Sequence, residues 1–438
     1  MPSPDNPCCK GRVNVFFLNK VFLPDQRWFK TSPLPSWVED LILKTLVKSI
    51  EYPTVLGESY EDIVDFYKEV LSSHGAHVTV HRVDDEYVRK TLPREYNPDK
   101  PRYILLARIG SGEKTLQFNG HYDVVAPGEG WETPPFKPVV REGRVYGRGS
   151  TDMKGGIASV VGALAYLAST REPGIVVEAA LVPDEEIGGL TGTGYLVDVL
   201  GSRPDWALIA EPSGINNIYI GHRGGVWALV KVYGRQAHGS TPWLGDNAFE
   251  KMIYLARAFI EEYKPKLAGK RSNFKYEMEE ASTPTLTLGG RLIAPGSINI
   301  VPGVVGFSVD RRLIIEERAD DVVEELRSFL KEASGKLGVE AELEVMEKSD
   351  PALTNPEALI VKAVEESSAS VLGRKPSKTI CVGGLDLRYY ARRGVEVVAY
   401  GPGEVGLAHK VNEFVKLSEL AKMAEVYVDL VRRLESYK

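Results

Sequence analysis

Five short stretches of this 438-residue chain carry acids and histidines in settings suited to metal-assisted chemistry. GHYDVV holds His121 and Asp123 two apart, just after a strand-like run. Such a pair suits a metal ligand oriented by a carboxylate behind it. YGRGSTDMKGG places Asp152 where a helix should begin, so it reads as an N-cap or as a carboxylate bridging two cations. The flanking Gly147, Gly149, Gly155 and Gly156 let backbone approach a crowded site. PDEEIGG sets Glu185 beside Glu186. Adjacent side chains in extended backbone point apart, so one can bind a cation while the other faces water. IAEPSG puts Glu211 directly after an apolar run, and GLAHKVNE puts His409 after another.

Taken singly, each stretch has an ordinary structural reading: a His–Asp pair, an N-cap, a solvated acidic turn. Their joint placement is what carries weight. His121, Glu185, Glu186, Glu211 and His409 each follow an expected strand, and Asp152 opens an expected helix. In an open α/β sheet the carboxyl ends of the strands form the binding crevice. Two imidazoles and three carboxylates can hold a pair of cations, with zinc favoured by the imidazoles, and one Glu is left over as a general base.

The elements that must position these residues follow from periodicity. Ser59 is expected to open a helix, with Asp62 completing a capping box and Gly75 ending it. Strands are expected at 77–83, 115–119, 175–182 and 205–210, with a helix built on Ile157, Val160, Val161, Leu164, Leu167 and Ala168. Strands alternating with helices predict an α/β domain with a largely parallel sheet. Residues 222–350 change character. Strands at 226–234, 283–290, 304–312 and 339–345, with helices at 246–263 and 320–330, give the order βαββαβ and predict four strands with two helices on one face. The apolar face of the first of these helices is read as Ile253, Ala256, Phe259, Ile260 and Tyr263. Residues 269–280 read as a solvated loop. A helix at 356–372, a strand at 395–401 and a closing helix at 416–436 return to α/β. The expected layout is therefore an N-terminal arm over 1–35, a main α/β domain over 36–221 and 351–438, and an inserted α+β domain over 222–350.

Composition excludes several classes. The hydrophobic fraction is 43%, the charged fraction 26% and the net charge −6, with no basic stripe, so nucleic acid is not an expected partner. Cys8, Cys9 and Cys381 are too few for a disulfide framework, which fits a cytoplasmic, reducing setting. No run reads as a signal peptide or membrane span. His74, His77 and His81 lack acidic neighbours in sequence and read as surface histidines, and His222 as a packing residue at the hinge into the insert.

GHYDVV, GRGSTDMKGG, PDEEIGG, AEPSG and AHKVNE, in this order, resemble the family of acetylornithine deacetylase, succinyl-diaminopimelate desuccinylase, aminoacylase and related zinc carboxypeptidases. The resemblance covers nearly all of the chain after about residue 40. It implies that His121 and Glu211 hold one zinc and Glu186 and His409 the other, with Asp152 bridging and Co2+ or Mn2+ as substitutes. It implies that Asp123 orients His121 and that Glu185 is the general base. It implies that the insert is a ferredoxin-like lid and dimerisation domain. There GRQAHGSTP points to His238 as a residue acting on the neighbouring subunit's substrate, and SINIVPGVVGFSVDRR points to Asn299 and Arg312 as a grip on a substrate carboxylate. Arg311 adjoins Arg312, and Leu385 stands where the family often has Thr before an Asp.

The expected activity is hydrolysis of an amide in a small carboxylate-bearing N-acyl amino acid, by a homodimer working away from membranes and nucleic acid. A dipeptidase or carboxypeptidase with the same site is the alternative. A metal-binding scaffold without activity would be expected to have lost a ligand or the base, and all six positions are intact.

Overall fold

The computed structural model describes residues 33–437. The arm expected over 1–35, with Cys8 and Cys9, falls almost wholly outside the described residues. The main sheet has nine strands. Its parallel centre runs Val176–Val182, Thr115–His121, Trp206–Ile209 and Glu396–Ala399. Tyr103–Ile109 and His77–Arg82 extend it antiparallel on one side. Asn217–His222, Ser377–Cys381 and Ala352–Leu353 complete the other. The sheet thus has the expected parallel centre and is antiparallel or mixed at its flanks.

Alternation builds two covered faces. Leu116, Phe118, Trp206 and Leu208 point to one core, formed with Val38, Ile42, Leu164, Leu420 and Tyr427. Ala207, Ile209, Val397 and Ala399 point to the other, formed with Val197, Leu387 and Tyr390. Strands buried on both faces this way read as near-continuous apolar runs. The helix Lys154–Thr170 is buried along most of its length and lies between Ser36–Ile50 and Leu417–Leu434. No described helix is long and apolar enough to cross a membrane.

The chain leaves this sheet after His222 and enters a second, four-stranded antiparallel sheet ordered Thr285–Ile293, Val304–Leu313, Gly224–Tyr233, Glu340–Ser349. Ala248–Ala258, continued by the turn Phe259–Tyr263, and Ala319–Leu337 pack on it through Leu255, Phe259, Leu326 and Phe329. This is the ferredoxin-like arrangement.

Four local readings need correction. Ser59 precedes the helix Tyr60–Ser73, but it has a left-handed backbone and makes no side-chain cap. Asp152 is not an N-cap, because the helix starts at Lys154. The long helix of the insert does not bury Ile253 and Ile260, which are about half exposed, while Leu255, Phe259 and Tyr263 are buried. A π-helical turn over Phe259–Tyr263 breaks the 3.6-residue period on which that face was drawn. The stretch 269–280 is not a solvated loop throughout. Tyr276 is buried in the main core, and the segment hydrogen-bonds to Ile380 at the edge of the main sheet. Helix Ser36–Ile50 and strand Tyr103–Ile109 were not anticipated.

Candidate metal centre

The loops at the carboxyl ends of the central parallel strands converge. His121 ends its strand and is fully buried. Its Nε2 lies 3.1 Å from Asp152 Oδ1 and 3.5 Å from Glu211 Oε1. Its Nδ1 faces Asp123, 3.1 Å from the main-chain oxygen and 3.5 Å from the carboxylate. His409 Nε2 lies 2.9 Å from Glu186 Oε2 and 3.3 Å from Asp152 Oδ2. Asp152 therefore stands between the two imidazoles, one oxygen toward each. Glu185 falls within ligand range of His121 and Glu211.

Local sequence explains these placements. Asp184 takes a left-handed turn, and Gly188 and Gly189, both at positive φ, close it. The Asp184 carboxylate is buried and accepts from Arg102 Nε, Tyr60 Oη and Thr191 Oγ1 at 2.7, 2.9 and 2.5 Å. That anchors the turn and leaves Glu185 and Glu186 free to face the crevice. Asp123 ties the same turn to His121, since it accepts the backbone N–H groups of Glu185 and Glu186 at 3.3 and 3.2 Å. Gly156 lets the following helix touch the strand that delivers Glu211. A β-carbon there would come within 2.0 Å of the Ala210 oxygen.

The electrostatics call for a cation. Burial raises Glu185 and Glu211 well above the ordinary carboxyl range, and Glu186 is raised by burial and by Asp152. Burial works against protonation of His121, yet Glu211, Asp123 and Asp152 together raise it well above its usual value. Hydrogen bonds to Asp152 and Glu186 push His409 up to about 10. Burial opposes ionisation of Asp152, but contacts to both imidazoles hold its carboxyl well below the usual range. The Glu186 Oε1 atom is buried with no hydrogen-bond partner. An orphaned buried carboxylate oxygen among two imidazoles and further carboxylates matches the donor set of a divalent metal. The residues fit a pair of such ions.

The structure brings together His121, Asp123, Asp152, Glu185, Glu186, Glu211 and His409. It keeps His238, Asn299 and Arg312 apart from them. Among the described residues, no hydrogen bond or ion pair joins these three to the cluster. His238 lies on the inserted domain, on a short strand paired with Ile300–Val301, and Gly239 N donates to Asn299 O at 2.7 Å. The Ser240 N–H donates to His238 Nδ1 at 3.1 Å, so the neutral ring carries its proton on the free Nε2. Arg311 is fully buried and paired with Glu317 at 2.6 Å. Arg312 is the accessible neighbour, 2.9 Å from Asp310 and over the Trp227 ring. Sequence reasoning missed Arg148, Arg102, Asp184 and Glu413. Arg148, Asp184 and Glu413 lie inside the quoted motifs, and charged residues inside otherwise small-residue loops were the signal.

The match to the model of peptidase family M20/M25/M40 spans residues 117–433. A succinyl-diaminopimelate desuccinylase of Alkalilimnicola ehrlichii is 31% identical over 75% of this chain and 86% of its own. Among solved structures, a tripeptidase from Staphylococcus aureus superposes with a TM-score of 0.71 at 21% identity, covering 91% of this chain and 99% of that one. A dinuclear metal-binding peptidase from Bacillus subtilis superposes with a TM-score of 0.65 at 14% identity, covering 92% and 99%.

Proposed function

This chain belongs to peptidase family M20/M25/M40 and is a metal-dependent hydrolase, and from that premise we propose that it cleaves the amide of a small N-acyl amino acid. The observation that carries the reading is the convergence of two imidazoles, a shared Asp152 and a spare buried Glu185 on one crevice. In this reading residues 36–221 and 351–438 form the catalytic domain, and 222–350 the lid and dimerisation domain.

His121 and Glu211 would hold one ion, Glu186 and His409 the other, and Asp152 both. The Bacillus subtilis peptidase binds a dinuclear metal centre, which supports a two-ion site here. Zinc suits the imidazoles, with Co2+ or Mn2+ as substitutes. Bound there, the ions would polarise the amide carbonyl and acidify water. Distance alone would also let Glu185 serve as a ligand, but His409 already partners Glu186, which leaves Glu185 for proton transfer. The Glu185 carboxylate takes a proton from the attacking water and returns it to the leaving nitrogen. Burial has raised its affinity for that proton. Asp123 keeps the His121 ring oriented. Asn299 and Arg312 would grip the substrate carboxylate, with Arg312 offering a bidentate fork.

His238 would act on the partner's substrate, its Nε2–H directed at the developing oxyanion. A dimer is supported by the inserted domain's surface. Trp243 is 75% exposed on the turn Pro242–Leu244, and Phe249, Ile253, Tyr254 and Ile260 are about half exposed along the segment that follows from Ala248 to Tyr263. Apolar patches of this kind mark interaction sites, and the edge strand Thr285–Ile293 is open for pairing. Cys381, buried and unpaired, fits a cytoplasmic setting.

The likeness to the Alkalilimnicola ehrlichii desuccinylase favours a deacylase, and that to the Staphylococcus aureus tripeptidase keeps a peptidase as the second reading. Hydrolysis of N-succinyl, N-acetyl and dipeptide substrates by zinc-loaded protein decides between them. Preference for N-acyl amino acids supports the proposal, and cleavage of peptides alone overturns it.

A further inference from the structure

The loops that carry Asp152 and His409 are joined by a buried ion pair that includes neither of them. Glu413 is fully buried. Its Oε1 accepts from Thr151 N at 2.7 Å and Asp152 N at 3.0 Å. Its Oε2 accepts from Gly149 N at 3.2 Å and Arg148 Nη1 at 2.5 Å. Arg148 is 1% exposed. It donates to the main-chain oxygens of His409 at 3.2 Å, Lys410 at 3.3 Å and Pro127 at 3.2 Å. Its guanidinium lies over the Trp131 ring. The pair thus has one arm on the main chain of each of two ligands that come from distant parts of the sequence.

Two observations argue that this arrangement serves geometry rather than stability alone. His409 has φ +63, a left-handed conformation that residues with a β-carbon resist. Such a conformation persists only where the surroundings hold it. In addition, Arg148 Nε is buried without a partner. Buried ion pairs are often no more stabilising than apolar replacements, and this one leaves a donor unused.

We propose that Arg148 and Glu413 are positioning residues that preset the gap between Asp152 and His409, and so set the affinity for the second ion. The carboxylate fixes the main chain of Asp152 through its N–H. The guanidinium fixes His409 through its carbonyl. The two side chains are thereby held with His409 Nε2 3.3 Å from Asp152 Oδ2. The first ion's other ligands, His121 and Glu211, are supported elsewhere, His121 by Asp123. This inference rests on the two-ion reading of the site.

The test is a titration of Co2+ into metal-free protein, followed by calorimetry and by visible absorption. It compares the wild type with Glu413→Gln and Arg148→Lys. Glu317→Gln, which weakens a largely buried pair in the inserted domain, is the control. Supporting partners behind a ligand typically contribute 10- to 100-fold in metal affinity, so in Arg148→Lys the second Co2+ should bind about 10- to 100-fold more weakly and the first within about threefold, in Glu413→Gln both ions should weaken because Asp152 serves both, and the control should be unchanged. The Co2+ absorption of the second site should also shift in Arg148→Lys, which keeps the charge but loses the fork. If Glu413→Gln does not fold, Arg148→Lys decides. Wild-type constants in Arg148→Lys overturn the proposal. So does weakening of both ions in that variant in proportion to a fall in melting temperature. A wild type that takes no second ion overturns the two-ion reading itself, which separates the two failures.

Discussion

His409 Nε2 stands 2.9 Å from Glu186 Oε2, although the strands that deliver them, Val176–Val182 and Glu396–Ala399, are separated in the sheet by two others. Both loops lean inward over the strand ends bearing His121 and Glu211. The contact forms only after the chain has left for the inserted domain and returned. Half of the proposed site is therefore a long-range product of the fold.

The neighbouring glutamates should separate under mutation. Glu185→Gln is expected to fold, keep both ions and lose roughly 10²-fold or more in turnover, the usual scale for a positioned base. Glu186→Gln should instead lose one ion, because His409 and Asp152 remain without their third partner. Metal analysis beside kcat checks this. The reverse pattern would exchange the two roles.

Substrate carboxylate recognition should depend on Arg312 and not on Arg311. A substrate acid should exceed its amide in kcat/KM, and Arg312→Ala should erase most of that preference. One charge-assisted contact is worth about 1.5–3 kcal/mol, or roughly 10- to 150-fold. Arg311→Ala should instead lower stability, since it empties a fully buried site and takes from Glu317 one of its two cationic partners, leaving Lys270 at 2.9 Å. Equal rates on acid and amide would remove Arg312 from the substrate site.

The exposed helix of the inserted domain should control both assembly and activity. Ile253→Glu with Tyr254→Glu is expected to yield monomers by sedimentation, with activity falling alongside, because His238 would then have no neighbour to serve. Mixing Glu185→Gln with His238→Ala under subunit exchange should restore activity, since a mixed dimer contains one site with both groups intact. Exchange without recovery would place His238 outside the reaction.

His222 should make the fold acid-sensitive away from the metal centre. It is fully buried, its Nδ1–H donates to Arg223 O at 2.8 Å, and Nε2 has no partner. Burial, with Arg388 nearby, lowers it to about 4. An unfolded histidine takes up its proton near pH 6.5, whereas the folded one resists until about pH 4. The stability it contributes is therefore complete above about pH 6.5 and declines as pH falls toward 4, by up to about 3 kcal/mol. His222→Gln should flatten the dependence of melting temperature on pH between 7 and 4.5 relative to wild type. Parallel curves would contradict it.

Much of this was readable in the sequence because the chemistry sits in short loops punctuated by glycine. His121, Asp152, Glu186 and His409, singled out by their residue types, come together in the structure, and the change from alternating strands to βαββαβ coincides with the second sheet. Other features were not readable because they depend on partners distant in the chain. The π-helical turn at Phe259–Tyr263 has no local signature, so a face drawn at a 3.6-residue period took in the exposed Ile253 and Ile260 beside the buried Phe259 and Tyr263. Tyr276 lies in a charge-rich stretch and reaches the main core only through a backbone pairing with Ile380. The pairing of Glu413 carries no signal of its own in the sequence, because its partner Arg148 lies 265 residues away.

The most direct test of the account is one titration. Chelated protein receives Zn2+ stepwise while bound metal and hydrolysis of an N-acyl amino acid are followed together. The account predicts no activity without metal, recovery on addition and saturation at two ions per chain, with Asp152→Ala unable to follow because it would serve both ions. Full activity in the metal-free protein, or wild-type metal content and turnover in Asp152→Ala, would contradict it.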